Sequence, residues 1–313
     1  MTQFDEPALK TVIAATANHL LESATLFVED TAQYGTAAAD IYAAFHAMPN
    51  SSAVADNWNT MQALAQAMRV RSGSRFVDLG CGAGWRTKEV AALDGVTFAL
   101  GVDYSREQLA LALSSGAAGP KNCHFAYGDL IALGHGADNW ADGDADVERL
   151  LGTFDVALMV FVACHAATQD ELNAMMRAAA AFLGPGGEVI VLDAHPHINL
   201  APFPASDRYG LVKTYLLPAD YDGEVAPFTK IRTTFITPKG QLSVEAYFHD
   251  VQTWQAAMDA AGLSGLTIKD YLAPPGFEPG FWDAYIKPNH PSGRSQAAVI
   301  RAFKGDAATS PVT

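Results

Sequence analysis

The sequence predicts an α/β fold built on a doubly wound parallel sheet, and three observations carry that prediction. From Arg75 onward, apolar strand-length runs alternate with helix-length segments. The first strand runs into a glycine-rich turn, Gly80-Cys81-Gly82-Ala83-Gly84. The second strand ends in an acidic residue, Asp103, which lies about 20 residues past the glycines, the usual distance in doubly wound folds.

Ahead of the alternating region, residues 7–72 read as helical. Leu9, Val12, Ile13, Ala17, Leu20, Leu21, Ala24 and Phe27 fall at i, i+3, i+4 spacing and form one apolar face. Asp5 and Glu6 before Pro7 suit a helix start, and Gly35 interrupts the pattern. Further helices are expected over 37–47 and 52–70. Strands are then expected over 75–79, 97–102, 123–126, 154–161 and 188–192, with helices over 84–93, 106–113 and 169–183 between them. The run 154–161, apolar except for Asp155, suits a central strand buried on both faces. Residues 134–152, rich in Gly and Asp, read as an exposed loop, with one helical turn as an option. Residues 194–250 carry many Pro and aromatic residues and break the rhythm. A helix over 250–261 with Gly262 as its stop, then strands over 266–271 and 297–303, complete the series.

Composition narrows the function. The chain has 313 residues, half of them hydrophobic, and a formal net charge of −14. Its 20 Lys and Arg form no basic run, so no nucleic-acid partner is expected. The segment MTQFDEPALK lacks the basic and apolar regions of a signal peptide. The longest apolar stretch, near 156–164, falls far short of the roughly 20 residues of a membrane span, so no membrane partner is expected. Cys81, Cys123 and Cys164 are widely spaced and odd in number. They suggest reduced thiols in a cytoplasmic protein rather than disulfides or a metal pair.

Glycines 80, 82 and 84 allow a tight turn and let a ligand lie against bare backbone. The N–H groups of the following helix favour an anion there. Asp103 adds a partner for a ribose hydroxyl pair, which points to a nucleoside. A dinucleotide fingerprint, Gly-x-Gly-x-x-Gly, would need glycine at position 85, where Trp85 stands instead.

With these residues in place, the chain resembles the class I S-adenosylmethionine (SAM)-dependent methyltransferases. FVDLGCGAGW (76–85) is similar to their motif I, LGVDYS (100–105) to motif II and HFAYGDL (124–130) to motif III. FDVALMVFVACH (154–165) is similar to motif IV and LGPGGEVIVLD (183–193) to motif V. The resemblance implies a Rossmann-like seven-stranded sheet of order 3-2-1-4-5-7-6, with strand 7 antiparallel. It also implies SAM as methyl donor, with S-adenosylhomocysteine as product. The cofactor residues it implies are Tyr34 as an aromatic cover, Asp78, Gly80, Cys81, Gly82 and Gly84 of the turn, and Asp103 and Tyr104 at the ribose. Gly128, Asp129 and Leu130 would lie at the adenine, and Val160 and Phe161 at the end of the fourth strand. The expected organisation is an N-terminal helical lid over 1–72, the SAM-binding core over 73–193 and a cap or acceptor-binding insertion over 194–250. The C-terminal end of the core follows over 251–305, and a flexible tail over 306–313.

The acceptor expected is a small molecule, in the manner of ubiquinone/menaquinone-type and natural-product methyltransferases, with a homodimer as the oligomeric option and N-, O- or C-methylation all open. Methyl transfer from a sulfonium needs alignment first and a base only if the acceptor must lose a proton. Three histidines are candidates for that work. His165 follows the fourth strand at the ligand-binding edge of the sheet. His195 lies in Asp193-Ala194-His195-Pro196-His197, whose spacing would suit a metal on a regular strand. Pro196 breaks such a strand, so no metal is expected and substrate contact or a structural loop remain. His249 precedes the 250–261 helix. Two other readings stand beside the methyltransferase: a nicotinamide-dependent oxidoreductase, and a non-catalytic SAM-binding scaffold.

Overall fold

The computed structural model describes residues 27–28, 36–49, 51–68, 73–114, 119–138, 140–141, 145–198, 210–218, 221, 223–272, 274–276 and 295–305. In chain order these are β1 (Phe27–Val28), α1 (Thr36–Ala47), α2 (Ser52–Met68), β2 (Ser74–Leu79), α3 (Trp85–Ala91), β3 (Val96–Asp103), α4 (Arg106–Ser114) and β4 (Cys123–Tyr127). Then come α5 (Leu130–Gly134), α6 (Ala145–Glu148), β5 (Phe154–Val160), a 3-10 turn (Ala163–His165), α7 (Gln169–Phe182) and β6 (Leu183–Ala194). The last elements are β7 (Leu211–Tyr215), β8 (Lys230–Thr237), β9 (Gly240–Tyr247), α8 (Val251–Ala260), β10 (Leu263–Asp270) and β11 (Ala297–Lys304).

Seven strands form the main sheet in the order β10-β11-β6-β5-β2-β3-β4. Numbered within this sheet alone, the order is 3-2-1-4-5-7-6. β2 to β6 run parallel, and β11 is antiparallel to both its neighbours. The strands are apolar on both sides because both faces are covered. Val77, Leu79, Met159, Val189 and Val191 face α7 and α8 in one core. Phe76, Leu158, Ile190 and Leu192 face α2 and α3 in the other. Chain order reverses between β2 and β5, and that switch point leaves a crevice at the C-terminal strand ends.

The helix ends are specified locally. Thr168 Oγ1 accepts the Glu171 N–H at 3.2 Å, and Glu171 Oε2 accepts the Ala167 N–H at 2.6 Å, a capping-box-like start to α7. Asp250 Oδ1 caps α8 through the Thr253 N–H at 2.8 Å. Gly262, with φ +67°, ends α8 in the left-handed conformation.

Three sequence expectations change. Phe27, read as part of a helical face, lies in a short strand that pairs parallel with β9. The Gly- and Asp-rich segment is not simply exposed: Trp140 and Val147 insert into the core beside Phe182. Residues 194–250 contain β7, β8 and β9, which join β1 in a second, four-stranded sheet of order β1-β9-β8-β7. Its alternation Leu211, Lys213, Tyr215 and Leu242, Val244, Ala246 is a period-2 strand signal that was present in the sequence.

Gly134 shows how tightly the core elements approach. A Cβ there would overlap the Ala174 carbonyl of α7, and the Gly134 carbonyl also accepts the Arg177 Nε–H at 2.7 Å. Gly134→Ala is expected to destabilise the chain by about 1–3 kcal/mol through overpacking against backbone. Urea unfolding checks this, and an unchanged midpoint would show that α5 can separate from α7 at no cost.

Candidate functional site

The crevice at the switch point opens into one cavity of about 930 Å³. That is near the top of the roughly 300–1,000 Å³ range of ligand pockets. One wall comes from the main sheet and the other from the second sheet and α1.

The first wall begins with the turn after β2. Gly80, Gly82 and Gly84 have φ of +77°, +54° and +72°, which only glycine adopts without strain. Gly80 must also pass over Val162, whose side chain would overlap any Cβ. Gly80, Cys81, Gly82 and Ala83 line the cavity. Asp103, at the end of β3, is 8% exposed and fixes the turn. Its Oδ2 accepts the Gly82 N–H at 2.7 Å and its Oδ1 the Ser105 N–H at 2.8 Å. Burial raises its pKa, while the N–H groups of Ser105, Gly82 and Tyr104 pull it back down. Tyr104 and Gln108 continue this wall.

Beyond β4, Gly128, Asp129 and Leu130 also reach the cavity. Asp129 Oδ1 caps α5 through the N–H groups of Ile131 and Ala132, at 2.9 and 3.1 Å. From β5 come Val160 and Phe161. Phe161 has φ +53°, a strained value for a non-glycine residue of the kind that clusters at functional sites. Its N–H bonds the Leu192 carbonyl at 2.8 Å.

The facing wall is made of alternate residues of the second sheet, among them Leu211, Lys213, Thr233 and Phe235. Tyr42, Phe45 and His46 of α1 join it. Trp85 stands at the seam, with the His46 ring 4.8 Å away and the Arg86 guanidinium 4.5 Å over its face. An indole here occupies the position where a dinucleotide site needs its third glycine.

Several expected site residues lie elsewhere. Asp78 is not on the cavity wall: its Oδ2 accepts the Thr87 hydroxyl at 2.8 Å behind the turn, where it braces α3. Gly84 packs against Phe125 and Ala112, also off the wall. His195 is 1% exposed and turned away, its Nε2 3.2 Å from Asp270 Oδ1 and its N–H bonded to the Gln296 carbonyl. Edge pairing with the start of β11 carries the chain away from the crevice there. His249 Nε2 bonds the Ala166 carbonyl at 2.9 Å, packed between Phe228 and Trp254, and burial lowers its pKa to about 4. Neither histidine lines the cavity. His165 alone of the three reaches the cavity, and burial lowers its pKa to about 4 as well. Tyr34 lies outside the described residues.

Sequence reading passed over Asp56, Arg86 and Lys213, although all three line the cavity, and Asp193, weighed there only as part of the Asp193–His197 stretch, lines it too. Asp56 lies within an amphipathic helix, where polar residues ordinarily read as the solvated face. Lys213 lies in a segment read as irregular.

The sheet order, the bare glycine turn and the carboxylate at the end of the next strand define a class I SAM-dependent methyltransferase. The fit to SAM rests on the turn's missing side chains, the fixed Asp103 carboxylate and a cavity large enough for a nucleoside and a second ligand. Residues 76–187 match the methyltransferase domain family, and the chain carries a domain of that family. The chain is 27% identical over 206 residues to N-demethylindolmycin N-methyltransferase of Streptomyces griseus, covering 65% of this chain and 75% of that protein. Its fold is similar to that of Streptomyces venezuelae DesVI, with TM-score 0.53, 19% identity, and 85% and 98% of the two chains covered. It is also similar to the sugar N-methyltransferase KedS8 from a Streptoalloteichus species, with TM-score 0.52, 15% identity, and 92% and 100% covered.

Asp103→Ala is expected to weaken SAM binding by roughly 1.5–3 kcal/mol through lost charge-assisted hydrogen bonds. Calorimetry checks this, and unchanged affinity in a folded variant would remove Asp103 from the cofactor site.

Proposed function

We propose that the chain methylates a small-molecule acceptor, a secondary metabolite by class, held between the glycine turn and the second sheet. The observation that carries this reading is the cavity that joins the two walls. It is roofed by protein and lined largely by apolar side chains, which suits a metabolite better than a polymer. The relatives named as an N-demethylindolmycin N-methyltransferase and a sugar N-methyltransferase support the same class, as does the acidic balance of −14. The three cysteines are free thiols, which supports action in the reducing cytoplasm.

In this reading Asp103 holds the ribose hydroxyls, Gly80 to Ala83 admit the cofactor against the backbone, and Asp129 and Leu130 flank the adenine. Bound SAM supplies an activated methyl group. The protein contributes alignment of the acceptor and exclusion of water. His165, neutral at pH 7 because burial lowers its pKa to about 4, serves as a hydrogen-bonding group that orients the acceptor.

Incubation of the full chain with methyl-labelled SAM and a metabolite panel should place label in a small organic product. Label found only in added RNA or protein would overturn the reading. His165→Ala should keep SAM affinity and lower kcat/KM by about tenfold to a hundredfold through misalignment. Full turnover in that variant would end the role given to His165.

A further inference from the structure

The roof of the cavity is apolar except along one row. In the antiparallel register Lys213, Thr233 and Val244 lie side by side across β7, β8 and β9, and all three line the cavity. The neighbouring rows bring Leu211 and Phe235 to one side of it and Ile231 and Ala246 to the other. Lys213 therefore carries an ammonium group, and Thr233 a hydroxyl, into an apolar ceiling. The two residues are 9% and 8% exposed. Directly opposed residues of neighbouring strands leave the sheet about 5 Å apart, so one small ligand group can meet both side chains.

Neither group is engaged by the protein. Among the described residues, Lys213 Nζ and Thr233 Oγ1 have no hydrogen-bond partner, and no carboxylate lies within ion-pair distance of Lys213. Lys213 Nζ instead lies 5.4 Å from the Phe161 ring centroid. The carboxylates whose charge reaches Lys213, Asp56 of α2 and Asp193 of β6, are already occupied. Asp193 accepts the Ala194 N–H at 2.6 Å and the Cys164 thiol, and Asp56 accepts the Tyr271 hydroxyl. Asp56 Oδ1 and Asp193 Oδ2 are shut inside the protein, away from the cavity. Burial raises both groups to about 7, so at neutral pH each carries only about half a negative charge. They do not cancel Lys213 and Arg86, whose charges both act on Asp56. The locus offers donors and leans positive.

Its position separates it from the nucleoside. Asp103 and Asp129 stand at the ends of β3 and β4, whereas Phe161 and Asp193, beneath Lys213, stand at the ends of β5 and β6. The cofactor brings a carboxylate of its own, but a different cation is built onto the helix that follows its glycine turn. Arg86 lines the cavity, is 9% exposed and has no hydrogen bond to a described residue. That leaves Lys213 to the second ligand. An ammonium group in an apolar ceiling is costly without an anion beside it. A neutral hydroxyl does not offset its charge, and an amine in its cationic form is repelled. A phosphate dianion needs more donors than one ammonium and one hydroxyl supply. A carboxylate brings one negative charge and two acceptor oxygens, one for each donor.

We infer that the small-molecule acceptor carries a carboxylate on an apolar body, and that Lys213 and Thr233 receive this carboxylate as the anchor that sets specificity. This inference rests on the methyltransferase reading above and names the acceptor class for that same site. The apolar rows beside Lys213 and Thr233 take the body of the acceptor, and the anchor fixes its orientation toward the donor.

The test uses the full chain saturated with S-adenosylhomocysteine and three probes of one apolar skeleton: 3-phenylpropionate, 3-phenylpropan-1-ol and 3-phenylpropylamine. By calorimetry the acid should bind at least about tenfold more tightly than the other two, the scale of one charge-assisted hydrogen bond. Lys213→Met should erase that preference. Thr233→Val should weaken binding of the acid by about threefold to tenfold, the scale of one neutral hydrogen bond. Unchanged S-adenosylhomocysteine affinity in both variants shows that they are folded. Titration of 5′-methylthioadenosine, which lacks the amino-acid carboxylate, separates the two sources of a carboxylate. If Lys213→Met weakens S-adenosylhomocysteine but not 5′-methylthioadenosine, Lys213 holds the cofactor and the inference is overturned. Absence of acid binding, equal binding of the alcohol or amine, or a preference that survives in Lys213→Met would each overturn it too. Failure of the wild-type chain to bind S-adenosylhomocysteine would instead overturn the donor assignment.

Discussion

The pair of backbone hydrogen bonds accepted by Asp103 is the constraint on which the site depends. One comes from Gly82 and one from Ser105, so a single buried carboxylate ties the glycine turn after β2 to the end of β3. The turn can come this close only because Gly80, Gly82 and Gly84 accept positive φ, and because Gly80 carries no side chain to meet Val162. Behind it, Asp78 holds Thr87 and thereby the start of α3. The same contacts that shape the fold at the switch point thus create the surface on which the cofactor lies.

The second sheet turns that surface into a chamber. A cofactor crevice alone would be open to water on one side. The inward-facing rows of β7, β8 and β9, with α1 beside them, close it with side chains that are apolar apart from Lys213 and Thr233. Burial inside that chamber has opposite effects on its groups. It raises Asp56 and Asp193 to about 7 and lowers His46 to about 3 and His165 to about 4, because in each case the charged form loses water. The result is a cavity in which His46 and His165 are neutral and Asp56 and Asp193 change state near neutral pH.

The main sheet was legible in the sequence because its strands are buried on both faces and its turn is made of glycines. Strand order followed from the motif series rather than from any one segment. The second sheet was harder to read. Its period-2 alternation is interrupted at Lys213, an inward-facing lysine, and Pro-rich flanks suggested irregular chain. His195 and His249 were named because they follow or precede elements near the crevice, but sequence distance does not give direction. His195 is drawn toward Asp270 by the pairing of β6 with β11, and His249 is locked under Phe228 and Trp254. Asp56 and Lys213 gave no signal of their own, and Asp193 was noticed only for its spacing to His195, since a wall assembled from α2, β6 and β7 exists only once the chain has folded.

Calorimetric titration of S-adenosylhomocysteine into the purified, folded chain tests the central claim most directly. Saturable binding at one site per chain, abolished or strongly weakened when the Gly80 turn is filled by Gly80→Val, is the predicted result. A folded wild-type chain that shows no heat of binding at millimolar ligand would contradict it.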